Sequence, residues 1–306
     1  MTHQQKRGLC WGIAALMTAA MMVFVLTCTD VQYATNDDAG MLRAFMGYET
    51  GEPAHFHVFI HGLLAWPLCW VSNLFPGLPW FSYLQMAFLA LSSLVIAKSI
   101  MQCFVNRKKP LWLGAVLAAA FLLTLCMKYI TKLTFTQTAA MLGAAAAAQL
   151  LSIEHDRGAG RVIIGMMGAL ALVCLSYALR QSALLPMLGF CGLICVFIVW
   201  EHYGLGKWAR RSIKPMVISL VVIALAVGGM LGWRTAELST PEAQEYLAWQ
   251  ESNTEIMDYI GIFNVPQEAF DLVGWDQAQI NMAKSWCFLD PAISTEAFQT
   301  MTDYLH

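Results

Sequence analysis

Uninterrupted apolar runs constrain this chain more than any other feature, because a helix of about 20 residues is what crosses a hydrocarbon core roughly 30 Å thick. The runs are 9–28, 80–102, 111–129, 134–153, 162–179, 183–200 and 216–233, with a further apolar stretch at 55–75. Inside a bilayer every backbone polar group must find a partner within the protein, which helices and closed barrels achieve. The runs are continuous rather than alternating, so helices are expected. The composition agrees: 58% of residues are hydrophobic and 12% charged, against about 25% charged in soluble domains. The expected fold is all-α and polytopic.

Composition also narrows the chemistry. The nine cysteines have no metal-ligand spacing and no CxxC. Cys10, Cys126, Cys174, Cys191 and Cys195 fall inside apolar runs, where they read as small buried hydrophobes. Basic residues are scattered through short loops, so no nucleic-acid partner is implied. The first run follows Lys6 and Arg7. It exceeds the usual apolar region of a cleaved signal peptide, about 7–15 residues, and lacks a clean cleavage site. An uncleaved first helix is expected.

Orientation follows from the basic residues, which concentrate in short cytoplasmic loops. The clusters are Lys6/Arg7, Arg107/Lys108/Lys109, Arg157/Arg161 and Lys207/Arg210/Arg211/Lys214. All four lie inside only if 55–75 does not cross. That stretch carries His55, His57 and His61, is interrupted by Pro67, and holds Trp66, Trp70 and Phe75. Aromatic side chains of this kind sit at headgroup level. The expectation is about seven spanning helices plus an interfacial helix, within a transmembrane domain 1–234 whose first outer loop is 29–79. The N-terminus is then cytoplasmic, and the polar tail 235–306 is an extracytoplasmic set of short helices. Lys98, near the inner end of its helix, is placed to snorkel. The run Ala144–Ala148 suits close helix packing.

The strongest candidate for chemistry is Thr35-Asn36-Asp37-Asp38 in the first outer loop. Carboxylates at an interface are costly unless used or paired. One of them is suited to deprotonate an acceptor hydroxyl, and two can hold a divalent cation. A structural role competes: Thr35-x-x-Asp38 approaches a capping box, and Asn36 or Asp37 is placed to cap a helix through 40–47. His57 and His61, four apart, would share a helix face, but no third metal ligand accompanies them. Trp249, Trp275 and Trp286 are suited either to stack on sugars or to pack the tail's own core. Asp290-Pro291 reads as a helix start.

The segment from the first helix through Trp80 resembles the GT-C superfamily of integral membrane glycosyltransferases. Thr35-Asn36-Asp37-Asp38 stands at the acidic position of the first outer loop. His61-Gly62-Leu63-Leu64 stands where mannosyltransferase-like members carry a His-Pro-Pro-Leu-Gly type motif, and Phe75-Pro76-Gly77-Leu78-Pro79-Trp80 at the turn into the next helix. The interfacial helix departs from that pattern in lacking its prolines and lysine. Members continue with more spanning helices after a loop like 235–306, so the resemblance implies an N-terminal portion of such a protein or a short variant.

The resemblance implies sugar transfer from a polyprenyl-phosphate-linked donor to a glycan, lipid or protein acceptor on the outer face of the cell membrane. Asp37 or Asp38 would be the base in an inverting reaction, and a divalent metal is possible but not required. Arg180 would meet the lipid phosphate through its fork of donors, with His61, Arg43 and Lys132 as further substrate-binding candidates. Arg180 and Lys132 also suit ordinary interfacial anchoring, and Arg43 suits pairing with an aspartate. The alternative to an enzyme is a transporter, flippase or accessory subunit of envelope glycan assembly. The helices carry too few charges for an ion-coupled transporter.

Overall fold

The computed structural model describes residues 2–48, 51–153, 159–183, 186, 189–194, 196–197 and 213–306. Among the described residues helices dominate, and the strands are one two-residue pair. Helix α1 (His3–Cys28) opens on a capping box made by Thr2 and Gln5. It is followed by β1 (Gln32–Tyr33), α2 (Asn36–Phe45), α3 (Gly62–Leu74) and α4 (Trp80–Asn106). Next come α5 (Leu111–Phe121), a π turn at Leu122–Cys126, α6 (Met127–Thr131), β2 (Lys132–Leu133), α7 (Phe135–Leu151), α8 (Ala159–Leu179) and α9 (Ile213–Leu238).

Among the described residues five helices are long and apolar enough to cross a membrane: Gln4–Cys28, Trp80–Asn106, Leu111–Thr131, Gly160–Leu179 and Val221–Leu238. The run 134–153 yields the 17-residue α7, about 25 Å long. Eight of the 18 residues of the expected span 183–200, and Arg157, Lys207, Arg210 and Arg211, lie outside the described residues. The stretch 55–75 is helical only over the 13 residues of α3, about 20 Å, which is short of a bilayer core. Its first residues, 55–61, are not helical. His57 and His61 therefore do not share a helix face. His61 is instead the N-cap of α3, its side chain accepting from the Leu63 N–H.

The chain forms two compact units that divide at Leu231/Gly232, within α9. In the first unit α4 packs against α1, α5 and α7, and α7 packs against both α4 and α8. Small residues set these approaches: Ala145 and Ala146 on α7 are fully buried. On α5, a Cβ at Gly114 would stand 2.9 Å from the Met101 Cα of α4. The Ser176 hydroxyl donates to the Ala139 carbonyl at 2.8 Å, joining α8 to α7. Lys98 does not snorkel to solvent. It is 3% exposed and turns into polar partners on α7.

The second unit, 232–306, has its own core around Ile256, Phe270, Trp275, Phe298 and Met301. Trp275 is buried, stacks on Phe270 and meets Phe298 edge-on, and its indole N–H donates to the Ala292 carbonyl at 3.0 Å. Trp249 and Trp286 both meet Phe288 edge-on. Asp290-Pro291 does not start a helix. The Asp290 carboxylate accepts from the Ala292 N–H at 2.8 Å, which closes a turn of the Asx type. The last helix begins at Thr295, capped by Ser294.

Gly114→Ala and Gly12→Ala are expected to act in opposite directions. Nothing lies within 4 Å of a Cβ at Gly12, so that change gains roughly 0.5–1 kcal/mol of helix preference. Gly114→Ala forces α4 and α5 apart and costs about 1–3 kcal/mol. Thermal unfolding of the purified chain in detergent checks this, and shifts of the same sign in both variants would contradict the packing.

Candidate functional site

Helix α2 begins at Asn36, earlier than the sequence suggests, with Thr35 as its N-cap residue. The capping box does not form: the Thr35 side chain makes no cap bond and donates instead to the Asp38 carboxylate at 2.7 Å. Asp38 is turned away from solvent, fully buried. Its other oxygen accepts from the Gln85 amide of α4 at 3.0 Å and from the Phe135 backbone N–H of α7 at 2.8 Å. That N–H is one of the four at a helix start with no partner inside the helix. Asp38 thus joins α2, α4 and α7 at a single carboxylate.

Burial pushes the Asp38 carboxyl above its ordinary value of 3.8. The bonds from Thr35, Phe135 and Gln85 oppose this, and the neighbouring Asp37 charge adds to it. Tyr33, on β1, is pushed up to about 12, chiefly by burial and also by Asp38, against its bond with the Ser82 hydroxyl. The phenol therefore stays protonated at neutral pH. Asp37, one residue before Asp38, is exposed in the first turn of α2, where the helix dipole favours a negative charge.

The second half of the site comes from α8. Arg180 follows its last residue, and its guanidinium lies over the Phe135 ring, 4.8 Å from the centroid, and the Phe59 ring at 5.8 Å. Its Nε donates to the Ser182 hydroxyl at 3.0 Å and its Nη1 to the Thr136 hydroxyl. Among the described residues no carboxylate pairs with it. Asp38 and Arg180 thus converge on Phe135, one on its backbone N–H and the other on its ring. Lys132 is exposed in β2, which pairs in parallel with β1, Gln32 opposite Lys132 and Tyr33 opposite Leu133.

His61 is buried and both ring nitrogens are engaged. Nδ1 accepts from the Leu63 N–H at 3.0 Å, so the proton sits on Nε2, which donates to the Met230 carbonyl at 3.0 Å. With its backbone N–H on the Ala178 carbonyl at 2.8 Å, His61 anchors α3 to α8 and α9. Arg43 is exposed near the end of α2. Among the described residues no three His, Cys, Asp or Glu side chains converge as metal ligands. Both Asp38 oxygens are taken by protein donors, so the Asp37–Asp38 pair does not fit as a chelate.

Three participants escaped the sequence reading. Gln85 was legible as an amide within an apolar helix, a placement that calls for a partner. Thr134 was legible as an N-cap at the start of the run 134–153, and its hydroxyl accepts from the Gln137 N–H. Nothing in the sequence pointed to Phe135. Comparison with known proteins adds no relative: no family model, no curated protein and no solved structure matches the chain.

Asp38→Ala leaves the Phe135 N–H and the Gln85 amide buried without an acceptor and is expected to cost about 3 kcal/mol or more. Asp38→Asn keeps an acceptor for both and removes a buried charge, so it costs far less. The native carboxyl takes up its proton more readily than the unfolded one. The wild type therefore gains on Asp38→Asn as pH falls from neutrality towards 3.8, and loses again as pH rises through the raised native value. Melting temperatures of the three proteins across that range test this. An unchanged melting temperature in Asp38→Ala would dismiss the clamp.

Proposed function

We propose that the chain is a GT-C-type membrane glycosyltransferase that moves a sugar from a polyprenyl-phosphate carrier to an acceptor hydroxyl at the outer face of the cell membrane. In this reading about seven helices span, the N-terminus is cytoplasmic, and the tail 235–306 is extracytoplasmic. One observation carries it. An exposed carboxylate, Asp37, is held on the helix that Asp38 pins to the bundle, at the end where Arg180 presents a guanidinium that, among the described residues, is bound by neutral groups and aromatic rings.

Each residue then has a task. Asp37 takes the proton of the acceptor hydroxyl as its oxygen attacks the anomeric carbon from the face opposite the phosphate. The bond from that carbon to the phosphate oxygen breaks, its electron pair leaves with the polyprenyl phosphate, and the sugar is inverted. Arg180 meets the released phosphate charge, with exposed Lys132 as a second cation on the adjoining strand. Asp38, buried and fully bonded, is a positioning residue. His61 holds the interfacial helix in place and makes no substrate contact.

The test is transfer of labelled sugar from a polyprenyl-phosphate donor in membranes containing the chain. Asp37→Asn is expected to lower turnover roughly 10²–10⁴-fold without changing the melting temperature. Arg180→Gln is expected to raise the KM for the lipid donor. Full activity in Asp37→Asn would remove the base assignment. A tag inserted between residues 76 and 79 is expected outside, and its detection in the cytosol would overturn the topology.

A further inference from the structure

At the opposite end of the first unit, the start of α1, the last turns of α4 and α7 and the first turns of α8 enclose a small polar cleft. It is lined by Arg7, Lys98, Gln102, Gln149, Ser152 and Arg161 among others and holds about 30 Å³. Lys98 lies at its buried side, 3% exposed. Its ammonium donates to the Gln149 side-chain oxygen at 2.8 Å and to the Ser152 hydroxyl at 3.4 Å, and lies 5.2 Å from the centroid of the Trp11 ring. All three partners are neutral. Among the described residues no carboxylate meets this charge.

A buried ammonium without a counter-charge is costly. The end of α7 offsets part of that cost, since a helix C-terminus carries about half a negative charge. The surroundings then add positive charge. Arg7 and Arg161 line the same cleft. Arg161 stands in the first turn of α8, where the helix dipole disfavours a cation. Gln102 and Asn106 both donate to the Ser152 carbonyl, which holds the wall in one geometry.

We propose that this cleft binds a phosphate anion, held by Lys98 within and by Arg161 at its mouth. A volume of 30 Å³ admits about two water-sized groups, so two phosphoryl oxygens enter while any ester chain stays outside. The same chemistry is met by inorganic phosphate and by the headgroup of an anionic lipid. The site is independent of the sugar-transfer reading, because it lies at the other end of the helices and shares no residue with Asp37, Asp38 or Arg180.

The experiment follows thermal unfolding of the purified full chain in neutral detergent. It is titrated in turn with inorganic phosphate, with phosphatidylglycerol, and with diacylglycerol as a lipid lacking phosphate. A rise in melting temperature with phosphate assigns a soluble anion, and a rise with phosphatidylglycerol alone assigns a headgroup. In either case Lys98→Met and Arg161→Gln are each expected to weaken the midpoint about tenfold, the loss of one charge-assisted bond. Lys109→Gln, exposed and outside the cleft, is expected to leave it unchanged. No rise with either phosphate probe, an equal rise with diacylglycerol, or unchanged midpoints in both cleft variants would overturn the proposal. Arg161 is exposed, so Arg161→Gln decides the matter if Lys98→Met does not fold.

Discussion

The buried carboxylate of Asp38 is the interaction on which the non-spanning part of the first unit depends. The segment between α1 and α4 holds two short helices, neither long enough to cross a bilayer. A carboxylate in such a place is costly unless its oxygens are filled. Asp38 fills them from three elements, with the Thr35 hydroxyl, the Gln85 amide and the Phe135 N–H. The last of these gives the bond a direction, because a helix start offers unpaired donors and a positive partial charge. The β1–β2 pair and the His61 bonds fasten the rest of the segment to the same bundle end.

That fastening makes the difference between Asp37 and Asp38 meaningful. The two are adjacent in sequence and alike in chemistry, yet a helix turns successive side chains by about 100°. Once Asp38 points into the bundle, Asp37 is left in the solvent. One carboxylate is spent on structure so that the other is held in a defined place. Arg180 is treated similarly: the Phe135 and Phe59 rings and two hydroxyls orient its guanidinium without neutralising it. The end of the bundle carrying Lys98 has a different character, with cations gathered around a cleft and amides holding its wall.

How far the sequence could be read varied with the physics involved. Apolar length marked five of the helices found, while the basic loops, the histidines and Pro67 set 55–75 apart, whose helix is 13 residues long. Capping was harder. Thr35-x-x-Asp38 had the spacing of a capping box, but the carboxylate found stronger donors on α4 and α7, residues 47 and 97 positions away. At Asp290-Pro291 a local turn bond displaced the expected helix start. The histidine spacing misled for the same reason, since four residues apart implies a shared face only inside a helix. Each miss concerns a polar side chain whose partner is remote or whose backbone was assumed.

The sequence by itself determined that this chain is mostly helical, with several helices long and apolar enough to cross a membrane, because uninterrupted apolar length is a property of each segment alone. It also marked Asp37 and Asp38 as costly carboxylates in need of a reason, and Arg180 as either a phosphate ligand or an interfacial anchor. Only the tertiary structure decided which aspartate is buried, that Asp38 and Arg180 meet at the start of α7, and that Lys98 turns inward to a cleft. The physical reason is that a polar group's free energy is set by the partners that replace its water. Those partners come from helices far apart in the chain and adjacent only once packed.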